Sequence, residues 1–204
     1  MTETEAKDLL KFELKLSEED IYKLDVFKGL LLERNLRYNL ISKSTENCIW
    51  SRHILDSAQL IKYFNLNSKA ILADFGSGAG FPGLVLAVIN NNLEFHVKLY
   101  EKSAVKREFL NEVIKKTNTK CVVVENVYDG RIDANIIVSR AFKKLDEIIR
   151  ISREIVRKPH KIIILKGKNA QAEINNVSLP NNYSYKMVNS ITNADSKIIL
   201  IEAT

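Results

Sequence analysis

Ala70-Ile71-Leu72-Ala73-Asp74-Phe75-Gly76-Ser77-Gly78-Ala79-Gly80-Phe81-Pro82-Gly83 is the stretch on which the reading of the fold turns. Ala70 to Phe75 is a nearly unbroken apolar run, the pattern of a strand buried on both faces. Glycines then stand at every second position, where the chain can turn tightly and bring its backbone against a ligand that a Cβ would exclude. A short helix follows, entered through Pro82, whose missing N–H is not needed in a first turn. Its amino terminus offers unbonded N–H groups and a partial positive charge.

Working outward, the same alternation repeats. Strands are expected over 94–101, 121–124, 135–139 and 161–166. Between them lie a helix capped by Ser103, carrying Val105, Phe109, Leu110 and Val113, and a second helix over 146–157. Apolar strands alternating with helices make a parallel sheet covered on both faces, an α/β fold. The tail differs: strands over 183–190 and 197–203 are joined by a link too short for a helical crossover, so they form an antiparallel hairpin. Upstream, Ser17 with Asp20 is a capping pair, and Ile21, Leu24, Phe27 and Leu31 recur at helical spacing. A polar connection over 35–43 leads to a second helix from about Thr45, with Ile49, Trp50, Ile54, Ile61 and Phe64 as its apolar positions. Residues 1–66 thus read as a helical extension packed on an α/β unit of residues 67–204, one compact body. A mostly parallel sheet ending in such a hairpin is the Rossmann-like layout of methyltransferases that use S-adenosylmethionine (SAM).

Composition narrows the function classes. Of 204 residues 46% are hydrophobic and 27% charged, a globular balance, and no apolar run approaches the roughly 20 residues that span a bilayer. The acidic, polar start is not a secretion signal, so the expected location is the cytoplasm, with no membrane partner. Cys48 and Cys121 are far apart, and Cys121 opens an apolar run, which predicts a buried reduced thiol. His53, His96 and His160 are scattered singly, so no metal site is expected. A net charge of +6 suits a polyanionic partner or a solvated basic surface.

The glycine turn fits two cofactors. A dinucleotide calls for G-x-G-x-x-G with a third glycine at position 81, which is Phe81. The spacing G-x-G-x-G suits SAM better, because no pyrophosphate then needs cradling. Glu101, ending the second strand, is placed to accept hydrogen bonds from both hydroxyls of a ribose, or is an ordinary strand-end charge. Arg52 and Asp56, four apart, could pair on one helix face, with His53 and Ser57 on the adjacent face; His53 and Asp56 either fasten the N-terminal helices to the core or help to shape the guanine pocket. A hydrolase triad is excluded: Ser57 sits inside a helix and no oxyanion donors accompany it. Lys166 and Arg140 fall at the carboxyl ends of strands, where ligands gather. Lys102, Lys106 and Arg107 are candidates for phosphate contact or plain solvated charges.

Six segments in order carry a resemblance that covers nearly the whole chain. They are Tyr38-Asn39-Leu40, Arg52-His53-Ile54-Leu55-Asp56-Ser57, the turn ending Phe81-Pro82-Gly83, Lys106-Arg107 with Phe109-Leu110, Ser139-Arg140-Ala141-Phe142, and Leu165-Lys166-Gly167. With them the sequence resembles the RsmG (GidB) family of bacterial ribosomal RNA guanine-N7 methyltransferases. The resemblance implies SAM contacts from Gly76, Ser77, Gly78, Phe81 and Arg140, and adenine recognition around Val127 and Tyr128. Tyr128 stands where the family usually has an acidic residue, and Asn126 where it has a basic one, so a backbone carbonyl or Asp129 is expected to read the adenine amino group. Arg52, His53 and Lys166 are the candidate substrate contacts, and Phe81 either stacks on a base or lines the cofactor pocket. The implied substrate is a guanine of 16S ribosomal RNA, in a ribosomal subunit or an assembly intermediate, attacked by a monomeric enzyme. N7 bears a lone pair and no proton, so no catalytic acid or base is expected. The rivals are a SAM-dependent methyltransferase of another RNA, a protein or a small molecule, a nicotinamide oxidoreductase, and a noncatalytic RNA-binding module.

Overall fold

The computed structural model describes residues 1–204. Seven strands form one sheet: β1 (Ala70–Phe75), β2 (Phe95–Tyr100), β3 (Val122–Val124), β4 (Ile136–Arg140), β5 (His160–Lys166), β6 (Tyr183–Asn189) and β7 (Lys197–Ala203). Their order is β3-β2-β1-β4-β5-β7-β6. The first five are parallel, while β7 runs antiparallel to both β5 and β6. The strand order reverses between β1 and β4, which opens a crevice at their carboxyl ends, the usual ligand position in such sheets.

Alternation along each strand divides the interior into two layers. Leu72, Ile136, Val138, Ile163 and Leu165 face the larger layer, with Leu24, Phe27, Leu31, Trp50, Ile54, Leu84 and Phe109. Ala73, Phe75, Ile137, Ile162 and Ile164 face the other, with Ile148, Ile149, Ile151 and Ile174. The helices on that second face are α6 (Leu145–Ile155) and α7 (Ala170–Asn175). The first face carries α2 (Glu18–Asn35), α4 (Gly83–Val88) and α5 (Ala104–Thr117). None of the helices is long and apolar enough to cross a membrane.

The expected strands and hairpin are present, their ends shifted by a residue or two. Ser17 caps α2 as expected: its hydroxyl accepts the Asp20 N–H at 3.1 Å and Asp20 Oδ2 accepts the Ser17 N–H at 2.9 Å. Four features depart from the sequence reading. An additional helix, α1 (Glu3–Asp8), precedes α2; Thr2 and Glu5 form its capping box, and a wide turn over Leu9–Glu13 extends it. The single helix expected from Thr45 is instead a chain of turns: 3₁₀ over Lys43–Cys48, π over Trp50–Leu55, a short α3 (Asp56–Ala58), and 3₁₀ again over Gln59–Tyr63. Ser51 and Ser57 hydroxyls donate back to the Cys48 and His53 carbonyls, and residues 53–60 are buried all round, so packing rather than helical propensity sets the path. Val105 on α5 is exposed rather than in the core. Cys121 lies just outside β3 and is only half-buried, though free of any disulfide as expected.

Candidate active site

The Gly76–Gly83 turn is folded against the end of β2. Gly76 and Ser77 N–H both donate to the Tyr100 carbonyl at 2.9 and 3.0 Å, and Gly80 and Phe81 N–H donate to the Ser77 carbonyl. Ser77 is fully buried and directs its own hydroxyl onto the Asp74 carbonyl. Glu101 clasps the turn: Oε2 accepts the Gly78 N–H and Oε1 the Ser103 N–H, both at 2.8 Å. Each oxygen retains acceptor capacity beyond that one bond.

Two glycines have different jobs. Gly78 holds φ +57°, and a Cβ there would approach nothing nearer than the Gly76 carbonyl oxygen at 3.9 Å, so the space beside it is open. Gly83 is needed for closeness: a Cβ would lie 2.5 Å from Asp74. Asp74, which the sequence reading did not single out, is fully buried. Its Oδ2 accepts the Gly83 N–H at 2.9 Å, while Oδ1 has no partner. Burial pushes its carboxyl up to about 7, against the opposing pull of the Ser77 and Gly83 donors. Its signal in the sequence was a lone carboxylate inside an apolar strand.

Beside the turn lies a cleft of about 240 Å³ lined by Gly76, Tyr100, Glu101, Val127, Tyr128 and Phe142, among others. Val127 is buried and Tyr128 exposed. Asn126 accepts the Tyr128 N–H and donates its amide to Asp129 Oδ1 at 3.1 Å, so that carboxylate oxygen already has a partner. A larger cleft of about 400 Å³ opens at the opposite edge, around Ala70, Asn135, His160 and Glu202. It adjoins the amino ends of the parallel strands, away from the glycine turn, and lacks the features that recommend the smaller one.

Phe81 belongs to the larger apolar layer. It is buried, stacked on Phe27 (centroids 5.2 Å apart) and on His53 (4.9 Å), with the Arg140 guanidinium 4.8 Å over its ring. Neighbouring side chains stack on this ring, and the 240 Å³ cleft is walled by other residues. Arg140 also donates from Nη1 to the Arg52 carbonyl at 3.2 Å. Burial lowers its guanidinium to about 10, which leaves it charged at neutral pH. His53 is pushed down to about 3 by burial and by Arg140 and Arg52, and is therefore neutral. Its Nε2 lies 2.9 Å from the Thr45 hydroxyl, and Nδ1 has no partner.

Arg52 and Asp56 do not pair. Arg52 is exposed, while Asp56 is buried and accepts hydrogen bonds from Gln59, Ser190 and Thr192 instead. Lys166 donates to Glu173 at 2.7 Å and to the Lys143 carbonyl at 3.0 Å, which ties it to α7. Arg107 is likewise engaged, by the Glu101 and Lys102 carbonyls and by Glu125, so it braces strand ends and is not a free phosphate contact. No three metal-ligating side chains come together. The structure therefore gathers Gly76, Glu101, Val127 and Tyr128 at one cleft, with Gly78 bonded to Glu101 beside it, and Arg52, His53, Phe81 and Arg140 in a separate cluster.

Comparison with known proteins agrees with the fold. The fold is shared with a variant of MtNAS in complex with S-adenosylmethionine (TM-score 0.61, 14% identity, covering 97% of this chain and 82% of that one). It is shared too with a methyltransferase from Pyrococcus furiosus (TM-score 0.57, 13% identity, covering 73% and 81%). In sequence, the chain is 34% identical over 196 residues to ribosomal RNA small subunit methyltransferase G of Orientia tsutsugamushi, covering 96% of each chain. It is 37% identical over 188 residues to the protein of that name from Rickettsia typhi, covering 91% of this chain and 95% of the relative. Residues 20–200 match the family described as rRNA small subunit methyltransferase G, or GidB. The chain belongs to that family of S-adenosylmethionine-dependent methyltransferases of small-subunit ribosomal RNA.

Proposed function

We propose that this protein transfers the methyl group of S-adenosylmethionine to N7 of a guanine in 16S ribosomal RNA, by in-line displacement and without a general base. The observation that carries the reading is the open space beside Gly78, framed by Glu101 and the cleft at the switch point of the sheet. A wall carboxylate with spare acceptor capacity suits vicinal hydroxyls, and a turn with no Cβ suits close approach of a ligand. Gly76, Gly78, Glu101, Val127 and Tyr128 would hold the cofactor, which when bound supplies the methyl on a positively charged sulfur.

The residues around the cleft fit a reaction that moves no proton. His53 is neutral and buried beneath Arg140, Asp74 is occupied by Gly83 behind the turn, and neither reaches the cleft wall. Guanine N7 carries a lone pair and no hydrogen, so a base would have nothing to remove. What this chain has to supply is position, and orientation alone can lower such a barrier by roughly 7–11 kcal/mol. Arg140 and Arg52, joined through the Arg52 carbonyl, place positive charge beside the cleft, where an RNA backbone would arrive.

The test is transfer of labelled methyl from SAM to small ribosomal subunits that lack the modification, followed by mapping of the labelled nucleotide. Label on a single guanine N7 is the expected result. Label on another base or another atom would refute the guanine-N7 reading. Tight SAM binding with no label on subunits, stripped RNA or assembly intermediates would favour a different substrate class.

A further inference from the structure

We infer that the loop between β6 and β7, residues 190–196, forms an RNA-contacting wall of the active site, and that Asp56 is the positioning residue that holds it there. The inference rests on the proposed RNA methylation and assigns to it a substrate surface. The loop's location follows from strand register. Asn189 pairs with Lys197, Lys197 with Lys166, and Leu165 with Arg140. The loop therefore springs from the same edge of the sheet as Arg140, two strand spacings or about 10 Å away.

Its attachment is more elaborate than a hairpin turn needs. Asp56 Oδ1 accepts from the Ser190 and Thr192 hydroxyls, both at 2.9 Å, and from Gln59 Nε2 at 2.8 Å. Gln59 Nε2 also donates to the Ser190 hydroxyl at 2.8 Å, and Gln59 Oε1 accepts the Ile191 N–H at 3.0 Å. Asp56, Gln59 and Ser190 are all buried, and the carboxylate acts on the Arg140 guanidinium through its charge without a salt bridge. Three donors from two parts of the chain thus converge on one carboxylate oxygen, which fixes them in one geometry. Asp56 stands one helical turn beyond Arg52, whose carbonyl holds Arg140. One connected set of bonds thus joins Arg140, the Arg52–Gln59 segment and the loop around a single edge. Ile191 remains exposed on that loop although its N–H is fixed. Its apolar side chain suits the face of an unstacked nucleotide flanking the target guanine.

The experiment compares Ile191→Asp, Asp56→Ala and Asp56→Asn by KM and kcat on unmodified small subunits, alongside SAM affinity by calorimetry. Ile191→Asp and Asp56→Ala should raise KM for subunits about tenfold with SAM affinity unchanged, and Asp56→Asn, which keeps the acceptor oxygen, should bring KM most of the way back. If Asp56→Ala fails to fold, the exposed Ile191→Asp decides alone. Unchanged KM in Ile191→Asp, or SAM affinity falling in step with KM, overturns the loop's role. Asp56→Asn as impaired as Asp56→Ala would assign the effect to charge acting on Arg140 and overturn the positioning role. Absence of transfer by the unaltered protein would instead count against the RNA methylation itself.

Discussion

Two glycines of one turn carry different constraints. A Cβ at Gly83 would strike Asp74, so Gly83→Ala should destabilise the fold by about 1–3 kcal/mol, read as a lowered unfolding midpoint. A Cβ at Gly78 meets only open space, so Gly78→Ala should cost no more than about 1 kcal/mol of stability while SAM affinity drops sharply. Equal loss of stability in both variants would remove Gly78 from the cofactor site. Asp74 gives a second prediction at this scale. Its carboxyl is ordinary when unfolded and raised to about 7 when folded, so the folded state holds the proton more tightly. Its contribution to stability is whole below pH 4 and is lost as pH rises through 7. Asp74→Asn should therefore gain stability relative to the unaltered protein between pH 5 and 8, measured by denaturant unfolding at each pH. A constant difference across that range would mean that the carboxylate is not strained by burial. The sequence displayed these residues but could not rank them: Gly78 and Gly83 read alike, and Asp74 read as strand, because what separates them is the atom each would touch.

Elements governed by local rules were legible; those governed by packing were not. The α2 cap was readable because Ser17 and Asp20 bond within one turn of chain. Ser17→Ala should lower stability by about 1 kcal/mol, and a midpoint shift indistinguishable from that of an exposed control such as Ser44→Ala would deny the cap its role. The hairpin was readable from the shortness of its link. By contrast, the segment over 43–63 carries helical spacing yet passes through four short stretches of three kinds of turn, since its course answers to Asp56, Gln59 and the distant loop at Ser190. The surroundings of Phe81 were illegible for the same reason. Its partners Phe27, His53 and Arg140 come from three separate elements, and no spacing along the chain announces them.

At the scale of the molecule, the helical segment of residues 1–66 shares one apolar layer with the sheet. Phe27 touches Phe81 and Phe109 from across the chain, and Trp50 and Ile54 are buried in the same layer as Leu72 and Val138. Residues 67–204 expressed alone would expose that face and should aggregate or unfold; a monomeric, cooperatively melting fragment would make the two parts separable. The distribution of charge supports a further expectation. Lys7, Lys11, Lys23 and Lys28, in the helical segment, are ion-paired. Lys102, Lys144 and Lys168 are exposed, and each follows the carboxyl end of a parallel strand. The topology thus collects cations on the edge that carries the glycine turn. Phosphates neutralised there release counterions, so KM for ribosomal subunits should climb steeply with salt while SAM affinity stays nearly flat. Replacing Lys102, Lys144 or Lys168 singly by alanine should lower the slope of log KM against log salt by about one for each phosphate left without its lysine. A slope unchanged by all three substitutions would make them solvated surface charges, and RNA affinity would then have to come from Arg52, Arg140 and shape alone.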